Sequence, residues 1–333
     1  MHKDNILEVR NVHKRFTSKG ITVKAVTDVS FDVHPGETIG IVGESGCGKT
    51  TLGRCIVRAY NASEGQVFYR TRKGEEVDFL TVDRKKMKQI RKEIQMIFQD
   101  PYSSLDPRMT VLDIIKEPLK ANYPKMTKAE MDQKAKEMAE KVGLNPSYLM
   151  RYPHAFSGGQ RQRIGIARAL VIEPQIIVCD EAVSALDVSI QAQVINLLRD
   201  LQKDLNLTYL FISHDLSVVE HISDKVGVMY LGRMVEFGQT EDLFAHPMHP
   251  YTEALLSAVP VADPTIQMER IPLQGEIPNP ANPPSGCFFH PRCRYCTEKC
   301  SQAIPEYKEL EPGHFVACHR AEELKLRGFS YDK

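Results

Sequence analysis

The sequence predicts an α/β fold that carries an antiparallel β subdomain, a helical insertion and a small cysteine-rich C-terminal module. Three observations predict it. A short apolar strand over residues 38–43 runs through a glycine-rich turn into a helix from about Lys49, the strand-to-helix switch of an α/β core. Val23, Ala25, Val29, Phe31 and Val33 alternate with polar residues, the period of a half-buried antiparallel strand. Five of the eight cysteines, Cys287, Cys293, Cys296, Cys300 and Cys318, crowd together behind a proline-rich stretch.

Taken in order, residues 6–33 read as antiparallel strands and residues 94–98 as another apolar strand, followed by Gln99-Asp100-Pro101. From about Pro101 to Glu173, apolar positions recur at helical spacing through residues 111–119 and 131–142, a mostly helical insertion. Buried-strand runs return at residues 176–178 and 209–212. The helix between them is expected to bury Ile190, Val194, Leu197, Leu198, Leu201 and Leu205. After Pro260 a connector containing Pro264, Pro272, Pro278, Pro280, Pro283 and Pro284 leads to the cysteines. The expected division is a core of 1–100 and 174–260, a helical subdomain of 101–173 and a C-terminal module of 261–333.

At 333 residues the chain can hold more than one domain. Its 42% apolar and 26% charged residues are ordinary for a globular protein. Lys and Arg together number 43, as do Asp and Glu, so nothing global points to nucleic acid. No apolar run approaches the roughly 20 residues of a membrane span. Met1-His2-Lys3-Asp4 leads straight into a strand, without the apolar stretch of a signal peptide. A cytosolic protein that reaches a membrane only through partners is expected.

The strongest local signal is Gly43-Glu44-Ser45-Gly46-Cys47-Gly48-Lys49-Thr50, a P-loop between a strand and a helix, followed by Thr51. Its glycines let backbone N–H groups turn inward on phosphate oxygens, and the helix N-terminus adds its dipole. Lys49 would meet the β- and γ-phosphates and Thr50 would ligate Mg²⁺. Cys47 is read either as filling a small-residue slot in the loop or, being near that N-terminus, as a thiol of lowered pKa whose alkylation blocks ATP binding and which Mg-ATP protects. Far along the chain, an apolar strand ends in Asp180-Glu181. Asp180 would hold the metal and Glu181 would polarise the water that attacks the γ-phosphate.

The run Phe156-Ser157-Gly158-Gly159-Gln160-Arg161-Gln162-Arg163 resembles the signature motif of ABC-type ATPases, with Phe for the usual Leu. The resemblance implies that Ser157, Gly158, Gly159 and Gln160 serve an ATP held by the opposite subunit. It also matches Gln99 to the Q-loop, Ser184-Ala185-Leu186-Asp187 to the D-loop, His214 to the switch histidine and Phe16 to the adenine-stacking aromatic. One departure is Ala182 where the family commonly has proline; it removes no catalytic group.

The likeness extends further, to the dipeptide/oligopeptide importer ATPases, through Ser104-Leu105-Asp106-Pro107-Arg108-Met109, His249-Pro250-Tyr251-Thr252 and Gly286-Cys287-Phe288-Phe289-His290-Pro291-Arg292-Cys293. Within that family it is closest to the F-type member of the ATPase pair. Such membership implies Mg-ATP hydrolysis coupled to peptide uptake, a D-type ATPase in a head-to-tail heterodimer, and two transmembrane permease subunits. An extracytoplasmic peptide-binding protein and a place on the cytoplasmic face of the cell membrane go with them. Importers of nickel chelates or glutathione, and soluble ABC ATPases that transport nothing, are the other readings.

The cysteines are spaced Cys287-x5-Cys293-x6-Cys300-x17-Cys318, four thiolates that suit either a [4Fe–4S] cluster or tetrahedral zinc. The family resemblance implies the iron–sulfur cluster. Cys296 is a spare that makes a Cys-x2-Cys with Cys293.

Overall fold

The computed structural model describes residues 1–100, 102–259 and 270–328. Pro101, Pro260 and Pro264 lie outside these residues, as does the expected boundary at 260/261. Two compact units emerge, one of residues 1–6, 34–37 and 69–212, the other of residues 7–33, 38–68 and 213–333.

In the first unit the strands Ile94–Ile97, Ile176–Asp180 and Thr208–Ile212 run parallel, with Ile94 opposite Ile176 and Ile176 opposite Thr208. Ile177, Val178, Phe211 and Ile212 are inaccessible to solvent, which is why these strands read as continuous apolar runs. Three helices, Val111–Asn122, Lys128–Lys141 and Gly158–Leu170, form the expected insertion. Thr110, Thr127 and Ser157 cap them, and each accepts a backbone N–H three residues on. Helix Val188–Leu205 buries Val194, Ile195, Leu198 and Leu201. The expected stripe is thus corrected: Ile195 replaces Leu197, and Ile190, Leu197 and Leu205 are only half-buried. At 100° per residue Ile195 lies beside Leu198 on the packed face, whereas Leu197 falls on its margin.

In the second unit Thr38–Val42 pairs in parallel with Lys225–Tyr230, which continues antiparallel into Arg233–Gln239. Leu7–Ser18 and Ile21–Val33 form the expected antiparallel pair, with three register shifts near its middle. The C-terminal residues extend the same sheet: His314–Val316 pairs antiparallel with Arg233–Gln239, and Lys308–Glu311 pairs with His314–Val316. Buried Glu236 fastens this junction. Its carboxylate takes His314 Nε2 at 2.8 Å and the amides of Met248 and His249 at 2.6 and 3.1 Å. No described helix is long and apolar enough to cross a membrane.

Candidate functional site

The P-loop sits where its residues require, between the buried strand Thr38–Val42 and the helix Lys49–Ile56. Gly48, the residue before that helix, has φ +106°, and a Cβ there would stand 2.2 Å from the Ala25 carbonyl oxygen. Only glycine permits both that conformation and that approach. Ser45 and Gly46 are exposed, whereas Lys49 is buried. Lys49 Nζ donates to the carbonyls of Gly43 and Glu44 at 2.7 and 3.0 Å. Thr50 and Thr51 are half-buried at the start of the helix.

Cys47 departs from one of its two readings. Its thiol is only 3% exposed, and burial raises its pKa, with Lys49 offsetting part of the effect. Desolvation of the thiolate outweighs the helix N-terminus, which favours the slot-filling reading of Cys47 over the lowered pKa.

Two supports of the loop were invisible in the sequence. The Glu44 amide donates to Tyr251 Oη at 2.9 Å, and the Glu44 carboxylate receives both terminal nitrogens of Arg292, at 2.7 and 3.0 Å. Tyr251 belongs to the helix Pro250–Leu256 and Arg292 to a short 3₁₀ turn in the cysteine segment. Arg292 lies 248 residues from its partner, so no local pattern could have signalled the contact. Tyr230, Tyr251 and Phe289 pack edge-on or tilted beneath it, with centroids 4.7 to 5.3 Å apart.

Phe16, 39% exposed on its strand, meets Tyr60 edge-on at 5.5 Å, and Lys14 Nζ lies 4.7 Å from its ring centre. An aromatic ring left open beside a cation suits stacking by a planar ligand. His214, two residues beyond the strand Thr208–Ile212, is also exposed.

In the first unit the two carboxylates are treated differently. Asp180 is buried at the end of its strand. Glu181 turns out of it with φ +47°, its N–H donating to the Ile212 carbonyl at 2.9 Å. The Gln99 amide then donates to the Glu181 carboxylate at 2.7 Å. Ala182, where the family's proline is missing, is buried, and Ser184 bonds back to the Glu181 carbonyl through its N–H and its hydroxyl.

Ser157 and Gln160 form a reciprocal capping box on the signature helix, so the Gln160 side chain is engaged by the Ser157 N–H at 3.0 Å. Gly158 and Gly159 supply the first N–H groups of that helix. Asp187 caps the helix Val188–Leu205, accepting the Ile190 N–H at 3.1 Å. That bond, seconded by the Ser189 hydroxyl, holds its carboxyl below the usual range.

The four predicted thiols, Cys287, Cys293, Cys300 and Cys318, line one small cavity with His249 and Phe289. Burial pushes Cys287 up to about 11 and Cys293 up to about 12, and neighbouring thiols of the set add to each. Cys296 is exposed and not part of that lining. Gly286, with φ +63°, lets the chain pass where a Cβ would lie 2.3 Å from the Cys300 carbonyl oxygen. The Cys287 N–H donates to that carbonyl at 2.8 Å. Among the described residues, no group of three or more His, Cys, Asp or Glu side chains is arranged to hold a metal ion.

Comparison with known proteins agrees with this arrangement. The ABC transporter family matches residues 26–184, and the oligopeptide/dipeptide transporter C-terminal region matches residues 235–300. The oligopeptide transport ATP-binding protein AppF of Bacillus subtilis is 55% identical over 96% of this chain and 98% of its own. The oligopeptide transport ATP-binding protein OppF of Haemophilus influenzae is 51% identical over 93% of each. Among solved structures, the dimeric ATP-binding cassette MJ0796 bound to ADP and Pi superposes with a TM-score of 0.63 at 27% identity. It covers 70% of this chain and 98% of that one. The chain therefore belongs to the ABC transporter ATPases, among the oligopeptide transport ATP-binding proteins.

Proposed function

We propose that this chain is the ATP-hydrolysing subunit of an importer that carries di- or oligopeptides across the cytoplasmic membrane. One observation carries the reading: an ABC transporter segment and an oligopeptide/dipeptide transporter C-terminal segment lie in one chain, at 55% identity to a relative named for oligopeptide transport. Lys49 and backbone amides of the loop beyond Glu44 receive the triphosphate, and Thr50, Gln99 and Asp180 are the residues that would hold Mg²⁺. Glu181 is the group that orients and deprotonates the attacking water, and the Gln99 amide holds it in place. His214 reads the γ-phosphate and Phe16 stacks on adenine.

Ser157 to Gln160, with Asp187, serve the nucleotide of a partner subunit, because a capped helix start offers free N–H groups to an anion. A D-type ATPase in a head-to-tail pair, two permease subunits and an extracytoplasmic binding protein complete the machine.

For the cysteine cavity the family resemblance favours a bound [4Fe–4S] cluster, with zinc as the other reading. Cys287, Cys293, Cys300 and Cys318 line one small cavity, and four thiolates are the ligand set of such a cluster. The cluster would supply a structural tie or a redox-sensitive one.

Reconstitution tests the function. Vesicles carrying the permease pair, the partner ATPase and this chain should accumulate labelled peptide only with ATP and the binding protein. A Lys49→Ala chain should abolish uptake, and accumulation of a metal chelate or glutathione in place of peptide would overturn the cargo.

A further inference from the structure

We infer that Arg292, in the cysteine segment, is a positioning residue for ATP binding, and that it acts by neutralising a carboxylate on the phosphate loop itself. Glu44 follows the first glycine of the loop. Its carboxylate is paired with Arg292, while the Lys49 ammonium donates to the backbone carbonyls of Gly43 and Glu44. Left alone, that carboxylate would set a negative charge against an incoming triphosphate. Arg292 cancels it with a two-pronged pair at 2.7 and 3.0 Å.

The pair is withdrawn from water: the Arg292 side chain is 5% exposed and that of Glu44 23%. Screening there is weak, and removing one partner leaves an uncompensated charge. The same residue is gripped at its amide by Tyr251 Oη. Tyr230 Oη, 3.4 Å from Arg292 Nη1, and the Phe289 ring close the pocket beneath. Glu44 is thus held at both its amide and its carboxylate by residues of the C-terminal half.

Arg292 immediately precedes Cys293 in a turn whose first residue, His290, donates its N–H to the Cys287 carbonyl. Whatever sets the conformation of the cysteine segment therefore sets the reach of Arg292 to the loop. This gives the segment a route to nucleotide affinity that passes through Glu44 alone.

The inference rests on the reading of residues 43–50 as the triphosphate cradle, which Lys49→Ala tests separately. Fluorescent ATP-analogue titration of the full-length chain should show Arg292→Ala weakening binding by on the order of tenfold. Arg292→Lys, which keeps the charge but not the fork, should weaken it less. Placing Glu44→Gln in the Arg292→Ala chain should recover most of the loss, because the offending charge is gone. Unchanged affinity in Arg292→Ala overturns the inference, and so does a loss that Glu44→Gln does not recover, which would mark a purely structural role. If Arg292→Ala does not fold, the Arg292→Lys chain with and without Glu44→Gln decides in the same way. Unaltered affinity in Lys49→Ala would instead overturn the reading of the loop, whatever Arg292 does.

Discussion

The side-chain amide of Gln99 donates to the carboxylate of Glu181 at 2.7 Å. The two lie 82 residues apart, each just beyond the end of neighbouring parallel strands, Ile94–Ile97 and Ile176–Asp180. That bond orients the carboxylate proposed to activate the attacking water.

Glu181→Gln should therefore slow ATP turnover by roughly 10²–10⁴-fold, the usual contribution of a general base, while nucleotide stays bound. Phosphate release and nucleotide retention, measured on the same sample with its partner subunits, separate the two effects. Rapid hydrolysis would assign the base elsewhere.

Gly48→Ala should cost the fold about 1–3 kcal/mol through its left-handed conformation alone. The approach of the new Cβ to the Ala25 carbonyl, at 2.2 Å, adds to this by forcing the loop to shift. A lowered thermal midpoint together with lost nucleotide affinity is expected; a chain that melts and binds like the parent would refute the strained-loop account.

Ser157→Ala removes one half of a capping box and should cost about 1 kcal/mol of stability. ATP-driven pairing with the partner ATPase should fall by far more than this, because the same hydroxyl is assigned to the partner's nucleotide. Size-exclusion chromatography with and without Mg-ATP, beside thermal melts, compares the two losses.

Protein purified without oxygen should be brown, absorb near about 400 nm and contain iron. Cys287→Ser, Cys293→Ser, Cys300→Ser and Cys318→Ser should each deplete the iron, whereas exposed Cys296→Ser should not. A colourless chain loaded with zinc would overturn the cluster.

His249 is buried, and burial alone lowers its pKa to about 3, while its Nδ1 accepts the Tyr251 N–H at 3.0 Å. The unfolded chain protonates this ring near pH 6.5, so between pH 6.5 and 3 the unfolded state holds the extra proton. Stability is then lost as pH falls through that window, by about 2 kcal/mol at pH 5. His249→Asn keeps an acceptor for the helix start and removes the titration. Its denaturation midpoint should vary less than the parent's between pH 6.5 and 5.

Much of this was legible in one dimension. The P-loop, the Asp180-Glu181 strand end and the Ser157 cap are local patterns, since backbone conformation and a few adjacent side chains suffice to build a phosphate cradle or a helix start. The strand runs at residues 94–97, 176–180 and 208–212 were legible because strands buried on both faces tolerate almost nothing but apolar residues. The lowered pKa expected for Cys47 failed because the helix N-terminus is visible in sequence while burial is not. The stripe of Val188–Leu205 erred at Ile195 and Leu197 for a related reason: periodicity gives a face, and packing gives its edges.

By itself the sequence determined the α/β fold class, the phosphate-binding loop and the family's order of motifs, all of which follow from short-range geometry and spacing. Only the tertiary structure decided what lies behind the loop. There the amide of Glu44 meets Tyr251 and its carboxylate meets Arg292 from the cysteine segment; elsewhere Glu236 ties His314 to the sheet. Those contacts join residues 78 to 248 positions apart. Charge pairing in a buried setting depends on distance and desolvation, and neither quantity is written in the order of residues along a chain.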